Sequence, residues 1–195
     1  MPRESLRQLL VEIRNCEVCK DHLPLGPRPV VSASGSAKIL IVGQAPGIRV
    51  HQSGIAWNDP SGNRLREWMG ITDRQFYDEK QVALVPMGFC YPGTTKTGDM
   101  PPRPECAPLW QERLLKKLKS VELTLLLGQY SQKQFLGKLA KRNLTATVEN
   151  WKEYRPKFLP MPHPSPRNNR WLKNNPWFEK DLLPWLKRRV TKLVV

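Results

Sequence analysis

Four thiols, one histidine and one glycine-rich loop are the parts of this chain whose residue types and spacing suit chemistry. The thiols are Cys16, Cys19, Cys90 and Cys106, arranged C-x2-C, then a long interval, then C-x15-C. An intracellular chain seldom uses four cysteines as disulfides. Thiolates are ligands for tetrahedral zinc and for iron–sulfur clusters, so the set reads as a metal or cluster site. The histidine is His163, in the segment His163-Pro164-Ser165-Pro166 with Pro162 before it. An imidazole held between prolines at a strand end can offer an N–H to a carbonyl that gains charge. The loop is Gly43-Gln44-Ala45-Pro46-Gly47, directly after an apolar run. Its glycines let main-chain N–H groups come close to a ligand. The loop holds no acid, base or nucleophile, so a hydrolytic site built on it must draw its carboxylate from elsewhere in the chain.

These groups need a scaffold, and the hydrophobic pattern predicts one. Buried strands are expected over 38–42, 82–87, 123–127 and 158–161, where apolar and β-branched residues run together. Helices are expected from the N-terminal segment to about Cys19, and over 61–69, 106–118 and 131–141. A helical tail is expected over 177–193, with Leu182, Leu183, Trp185 and Leu186 facing inward. Segments 21–37, 43–60 and 91–104 are rich in Pro, Gly and Ser and read as loops. Strands alternating with helices predict a parallel sheet covered on both faces. Ligands of such sheets bind beyond the carboxyl ends of the strands, where the Gly43–Gly47 loop and the His163 loop both lie.

The charge balance narrows the partners. The chain of 195 residues carries 32 Lys and Arg against 17 Asp and Glu, a formal net charge of +15, which suggests a polyanion. Seven tryptophans supply flat rings for base stacking. No segment reads as a signal peptide, and no apolar run approaches a membrane span. A single domain over residues 1–195 is expected, soluble and cytoplasmic, in contact with the nucleoid and without a membrane partner.

The glycine-rich loop after the first strand, His-Pro-Ser-Pro after the last, and the cysteine spacing combine into one pattern. With them the chain resembles the uracil-DNA glycosylase superfamily, in particular its iron–sulfur branch, the family 4 and family 5 enzymes. The resemblance runs from Cys16 to about Arg170. It implies a three-layer α/β/α domain around a four-stranded parallel sheet, and base excision from DNA carrying deaminated bases. It names no protein partner, and the chain is expected to act as a monomer. Cys16, Cys19, Cys90 and Cys106 match the branch's ligand pattern, which implies a [4Fe–4S] cluster in preference to zinc. Such a cluster would tie the N-terminal helix to the loop from Cys90 to Cys106.

The resemblance also assigns roles. It implies that His163 donates to the departing base, that residues Gly43 to Gly47 cradle the base, and that Trp57 of Gly54-Ile55-Ala56-Trp57 stacks on it, where the family has a Phe. Family 4 enzymes have a Glu at Gln44, and family 1 enzymes have a water-activating Asp at Ala45, so both usual acids are missing. Family 5 enzymes carry an Asp after the stacking ring, which matches Asp59 of Asp59-Pro60-Ser61-Gly62. Asp59 is thus the candidate carboxylate, with Gln44 beside it in the catalytic loop. The same Asp-Pro-Ser segment also suits a helix cap, and the two roles are compatible. Pro86 stands where family 4 has a uracil-reading Asn. Ser165, Arg167, Arg170 and Trp171, in and after the His163 motif, are expected to face DNA, with Arg167, Arg170 and Trp171 holding phosphates and filling the vacated gap. A non-catalytic DNA-binding protein on the same scaffold is the alternative reading.

Overall fold

The structure is a computed structural model, and it describes residues 4–96 and 98–194. Four strands form one all-parallel sheet: β1 (Ile39–Val42), β2 (Val82–Leu84), β5 (Leu123–Leu127) and β6 (Phe158–Met161), in the spatial order β2-β1-β5-β6. Between β2 and β5 a small antiparallel hairpin, β3 (Thr94–Thr95) and β4 (Gly98–Asp99), stands apart from this sheet. Strands β1, β2 and β5 are buried along their whole length, as continuous apolar runs require when both faces of a sheet are covered.

The pleat divides the core in two. Ile39 and Ile41 of β1 face one cluster, while Leu40 and Val42 face the other. Helices α3 (Pro60–Met69) and α9 (Leu183–Thr191) close the first face with Leu65, Met69, Leu186 and Val190. On the second face lie α1 (Leu6–Arg14), α5 (Cys106–Leu115) and α6 (Gln129–Leu136), with Leu9, Ile13, Leu114 and Leu136. The result is the three-layer α/β/α architecture with a four-stranded parallel sheet that the sequence implied. No helix among the described residues is long and apolar enough to cross a membrane.

Several elements depart from the sequence-based expectation. The first helix ends at Arg14, not near Cys19, so both Cys16 and Cys19 lie on the turn after it. Regular strand structure in β2 ends at Leu84, short of the expected residue 87. The ladder still limps on, with the Val85 N–H donating to the Ile41 carbonyl at 3.0 Å and Met87 to Gly43 at 2.9 Å. Segment 43–60 is not all loop: it contains α2 (Ile48–Ser53), which Gly54 terminates in the left-handed region at φ +73°. Helix α5 stops at Leu115, and α6 stops at Leu136 because Gly137 turns the chain away at φ +52°. Short helices α4 (Asp73–Tyr77), α7 (Leu144–Glu149) and α8 (Asn169–Asn174) were not legible as such. The tail opens with a wide π-type turn, Phe178–Leu182, before α9. Leu182, Leu183 and Leu186 are buried as expected, and Trp185 lies half-buried against Trp151.

Candidate active site

A cavity of about 440 Å³ opens beyond the carboxyl ends of β1 and β6. Gly43, Gln44, Ala45, Pro46 and Gly47 form one wall, and His163, Ser165 and Arg167 form another. Trp57 and Asp59 complete the set that the sequence placed together. The wall that Pro86 forms is apolar, as its lack of a side-chain donor implied: it lines the cavity with Leu84 and Val30, and its carbonyl is taken by Gln111 at 2.7 Å.

Trp57 is held in an unusual conformation by its surroundings. Among the described residues it is the non-glycine residue with a positive φ, +59°. Its carbonyl approaches Gly62 so closely that a Cβ on Gly62 would lie 1.7 Å from the oxygen. A Cβ on Gly43 would lie 2.8 Å from the indole ring. Arg66, buried beneath, donates to the Trp57 carbonyl at 3.4 Å and is itself fixed by Asp73 at 2.7 Å and Asn63 at 2.6 Å. The two glycines of the sequence motifs are therefore seats for one tryptophan.

The indole stacks on His163, with ring centroids 5.5 Å apart and an interplanar angle of 27°. At that separation nothing planar fits between the two rings. Trp57 lines the cavity, but a base can stack only on what the imidazole leaves uncovered. Two side chains brace the histidine loop from outside. Arg64 of α3 donates to the Ser165 carbonyl at 3.2 Å, and Asn168 donates to the carbonyl of His163 itself at 2.7 Å. Burial lowers the His163 pKa, and the charge of Asp59 pulls it only partly back. The imidazole is neutral at pH 7 and retains one N–H to donate.

Asp59 is the N-cap of α3, its Oδ1 accepting from the Gly62 N–H at 2.8 Å. The cap expected of the Asp-Pro-Ser segment is present, and the capping carboxylate also lines the cavity. A second carboxylate, Asp99, enters from β4 and was missed. Its Oδ2 lies 3.7 Å from the position a Cβ on Gly47 would take. Burial raises its pKa, Arg167 pulls it down, and Asp59 adds to the rise. The available signal was a hairpin cue, Gly98 amid threonines inside a loop of prolines and glycines. Gln44 reaches toward this hairpin, its Nε2 donating to the Met100 carbonyl at 2.9 Å. Arg167 lies over the hairpin backbone, where a Cβ on Gly98 would come within 2.3 Å of its Nη1.

Two residues expected at the DNA face are not brought to the cavity. Trp171 turns inward: its Nε1 donates to Thr145 at 2.8 Å and its ring packs edge-on against Trp177 and Phe178. An indole bound on three sides is not presented to fill a gap in a duplex. Arg170 is exposed on α8 but does not line the cavity. His51 is buried outside the cavity beside Tyr91, with its Nδ1 unpartnered.

The four cysteines converge on a second, separate cavity between the end of α1, the chain around Phe89 and the start of α5. All four are free thiols. Among the described residues no three His, Cys, Asp or Glu side chains are grouped to hold a single metal ion. Burial pushes the Cys90 thiol up to about 11 and the Cys106 thiol up to about 12. Backbone N–H groups oppose that rise, Arg28 at Cys90 and Phe89 at Cys106, the latter with N···Sγ 3.4 Å. N–H donors aimed at sulfur in an apolar pocket are what a bound thiolate requires, so the donor set fits a thiolate-held metal group.

Two outcomes follow from this geometry. Gly62→Ala must displace the Trp57 carbonyl, so it is expected to cost about 1–3 kcal/mol or more in urea denaturation. His163, with its folded-state pKa below the ordinary 6.5, should show an NMR titration midpoint under that value. Its unfolded form takes up protons first, so its contribution to stability is present above about pH 6.5 and is lost as pH falls from there through the lower folded-state value.

A family model described as Uracil DNA glycosylase superfamily matches residues 30–187 of the chain. The match covers both walls of the cavity, Cys90 and Cys106, while Cys16 and Cys19 precede it.

Proposed function

The chain belongs to the uracil-DNA glycosylase superfamily, and on that premise we propose that it is a monofunctional DNA glycosylase that releases uracil or a related deaminated base. One observation carries this reading: a neutral, braced histidine and two carboxylates face the same cavity at the strand ends. Breaking an N-glycosidic bond leaves positive charge on the sugar and negative charge on the base. A neutral imidazole N–H meets the second need, and a carboxylate meets the first. The target nucleotide must first leave the stack, at a cost of a few kcal/mol, and Trp57 offers ring surface to receive it. With Pro86 in place of an amide, the main-chain groups of residues 43–47 are left to read the base edge. Arg167 and the net charge of +15 support engagement of the phosphate backbone.

We further propose that Cys16, Cys19, Cys90 and Cys106 hold an iron–sulfur cluster. Through the thiolates of Cys16 and Cys19 on one side and of Cys90 and Cys106 on the other, a bound cluster would join the N-terminal turn to both ends of the segment that carries the hairpin. The chain's own part is to keep that pocket apolar and to aim backbone N–H groups at two of the sulfurs.

The function is tested with labelled single- and double-stranded DNA carrying uracil, hypoxanthine or xanthine, with alkali to reveal abasic sites. Release of at least one base is expected, and His163→Ala should reduce single-turnover release by about 10²-fold while binding persists. Tight binding without release of any base would instead support the non-catalytic scaffold. For the cluster, protein purified without oxygen is expected to contain iron and acid-labile sulfide and to absorb broadly in the visible. Cys106→Ala should abolish both, and stoichiometric zinc without sulfide would sink the assignment.

A further inference from the structure

We propose that Asp99, on the hairpin between Cys90 and Cys106, is the carboxylate that activates water in this site. The inference rests on the glycosylase reading above and deepens it. The glycine-rich loop supplies no acid, since Gln44 and Ala45 occupy the positions where one would stand. The fold returns one from outside: Asp99 brings its Oδ2 against Gly47, at the end of that same loop. The acid reaches the loop's wall of the cavity from a different part of the chain.

Gln44 explains how the hairpin is held there. A carbonyl only accepts, so the group facing Met100, the residue after Asp99, must be an N–H donor. A glutamine satisfies this at 2.9 Å, and a glutamate would set a carboxylate against the carbonyl. The loss of an acid at position 44 and the presence of one at position 99 are thus two halves of one arrangement. On the far side Arg167 lies against Gly98 and fixes the hairpin from the histidine loop.

Asp59 is less suited to the task. One of its oxygens is engaged by the Gly62 N–H as a helix cap, a role that asparagine fills equally well. The groups acting electrostatically on Asp99 are Arg167 and Asp59. Partial burial makes the Asp99 carboxylate a stronger base than an exposed one, and the charge of Arg167 opposes that rise. In the step, a carboxylate oxygen of Asp99 takes a proton from water as the water oxygen bonds to C1′. The C1′–N bond breaks and its electron pair leaves with the base, whose charge the His163 N–H holds. The base is then protonated, and Asp99 returns its proton to solvent, leaving an abasic sugar.

The test is single-turnover release from the best substrate, measured beside DNA affinity and thermal stability, for the wild type, Asp99→Asn, Asp99→Glu, Asp59→Asn and Gln44→Glu. Asp99→Asn is expected to lose about 10²-fold or more in release with unchanged affinity and melting, and Asp99→Glu to recover part of it. Asp59→Asn should lose less than Asp99→Asn. Gln44→Glu should lower release by loosening the hairpin. Asp99→Asn within about threefold of the wild type, or a gain in Gln44→Glu, overturns the assignment while leaving the glycosylase intact. No release by the wild type at any base removes the glycosylase reading and this inference with it.

Discussion

The carbonyl of Trp57 rests where any side chain on Gly62 would have to be, and the site is arranged around that crowding. A tryptophan with positive φ is costly, of order 1–3 kcal/mol, and persists only when its neighbours leave no alternative. Here they leave none. Arg66 grips the carbonyl from below, Gly43 makes room for the ring, and His163 covers one of its faces. The cap of α3 belongs to the same knot, because the Gly62 that lacks a Cβ is the residue whose N–H binds Asp59. Ring, histidine and carboxylate are therefore set by one backbone conformation rather than by three separate adjustments.

The electrostatics of the cavity follow from what surrounds each group. His163 sits among rings and prolines, and the low dielectric there favours its neutral form against the pull of Asp59. At Asp99, Arg167 offsets part of the cost of withdrawing the carboxylate from water. A donor that carries no charge and acceptors that do is the combination suited to a reaction that separates charge along one bond.

How much of this was legible in the sequence depended on whether the information was local. Ile39–Val42 and Leu123–Leu127 are continuous apolar runs, and such runs announce buried parallel strands. His163 and Gly43–Gly47 were readable because each sits at the end of such a strand. Trp171 was readable as a ring but not as a direction, since only its contacts with Thr145, Trp177 and Phe178 turn it inward. For Asp99 the sequence held a hairpin cue but not a destination. Its value lies in standing beside Gly47, more than fifty positions away, and nothing in residues 91–104 declares that neighbour. The α2 helix was hidden by the prolines and glycines around it, one of which is its terminator.

Among the described residues the hairpin of β3 and β4 makes no ladder contact with the main sheet, so it stands outside the packing between the layers. The strand-end loops are not so placed, because their residues are wedged between Trp57, Gly43 and Gly62. A chain built this way separates inheritance of the scaffold from inheritance of the acid. Insertions, deletions or replacement of the hairpin would alter what reaches Gly47 without rebuilding a single layer. Diversification among descendants of such a fold should then concentrate in this one excursion, while the pocket behind it stays recognisable.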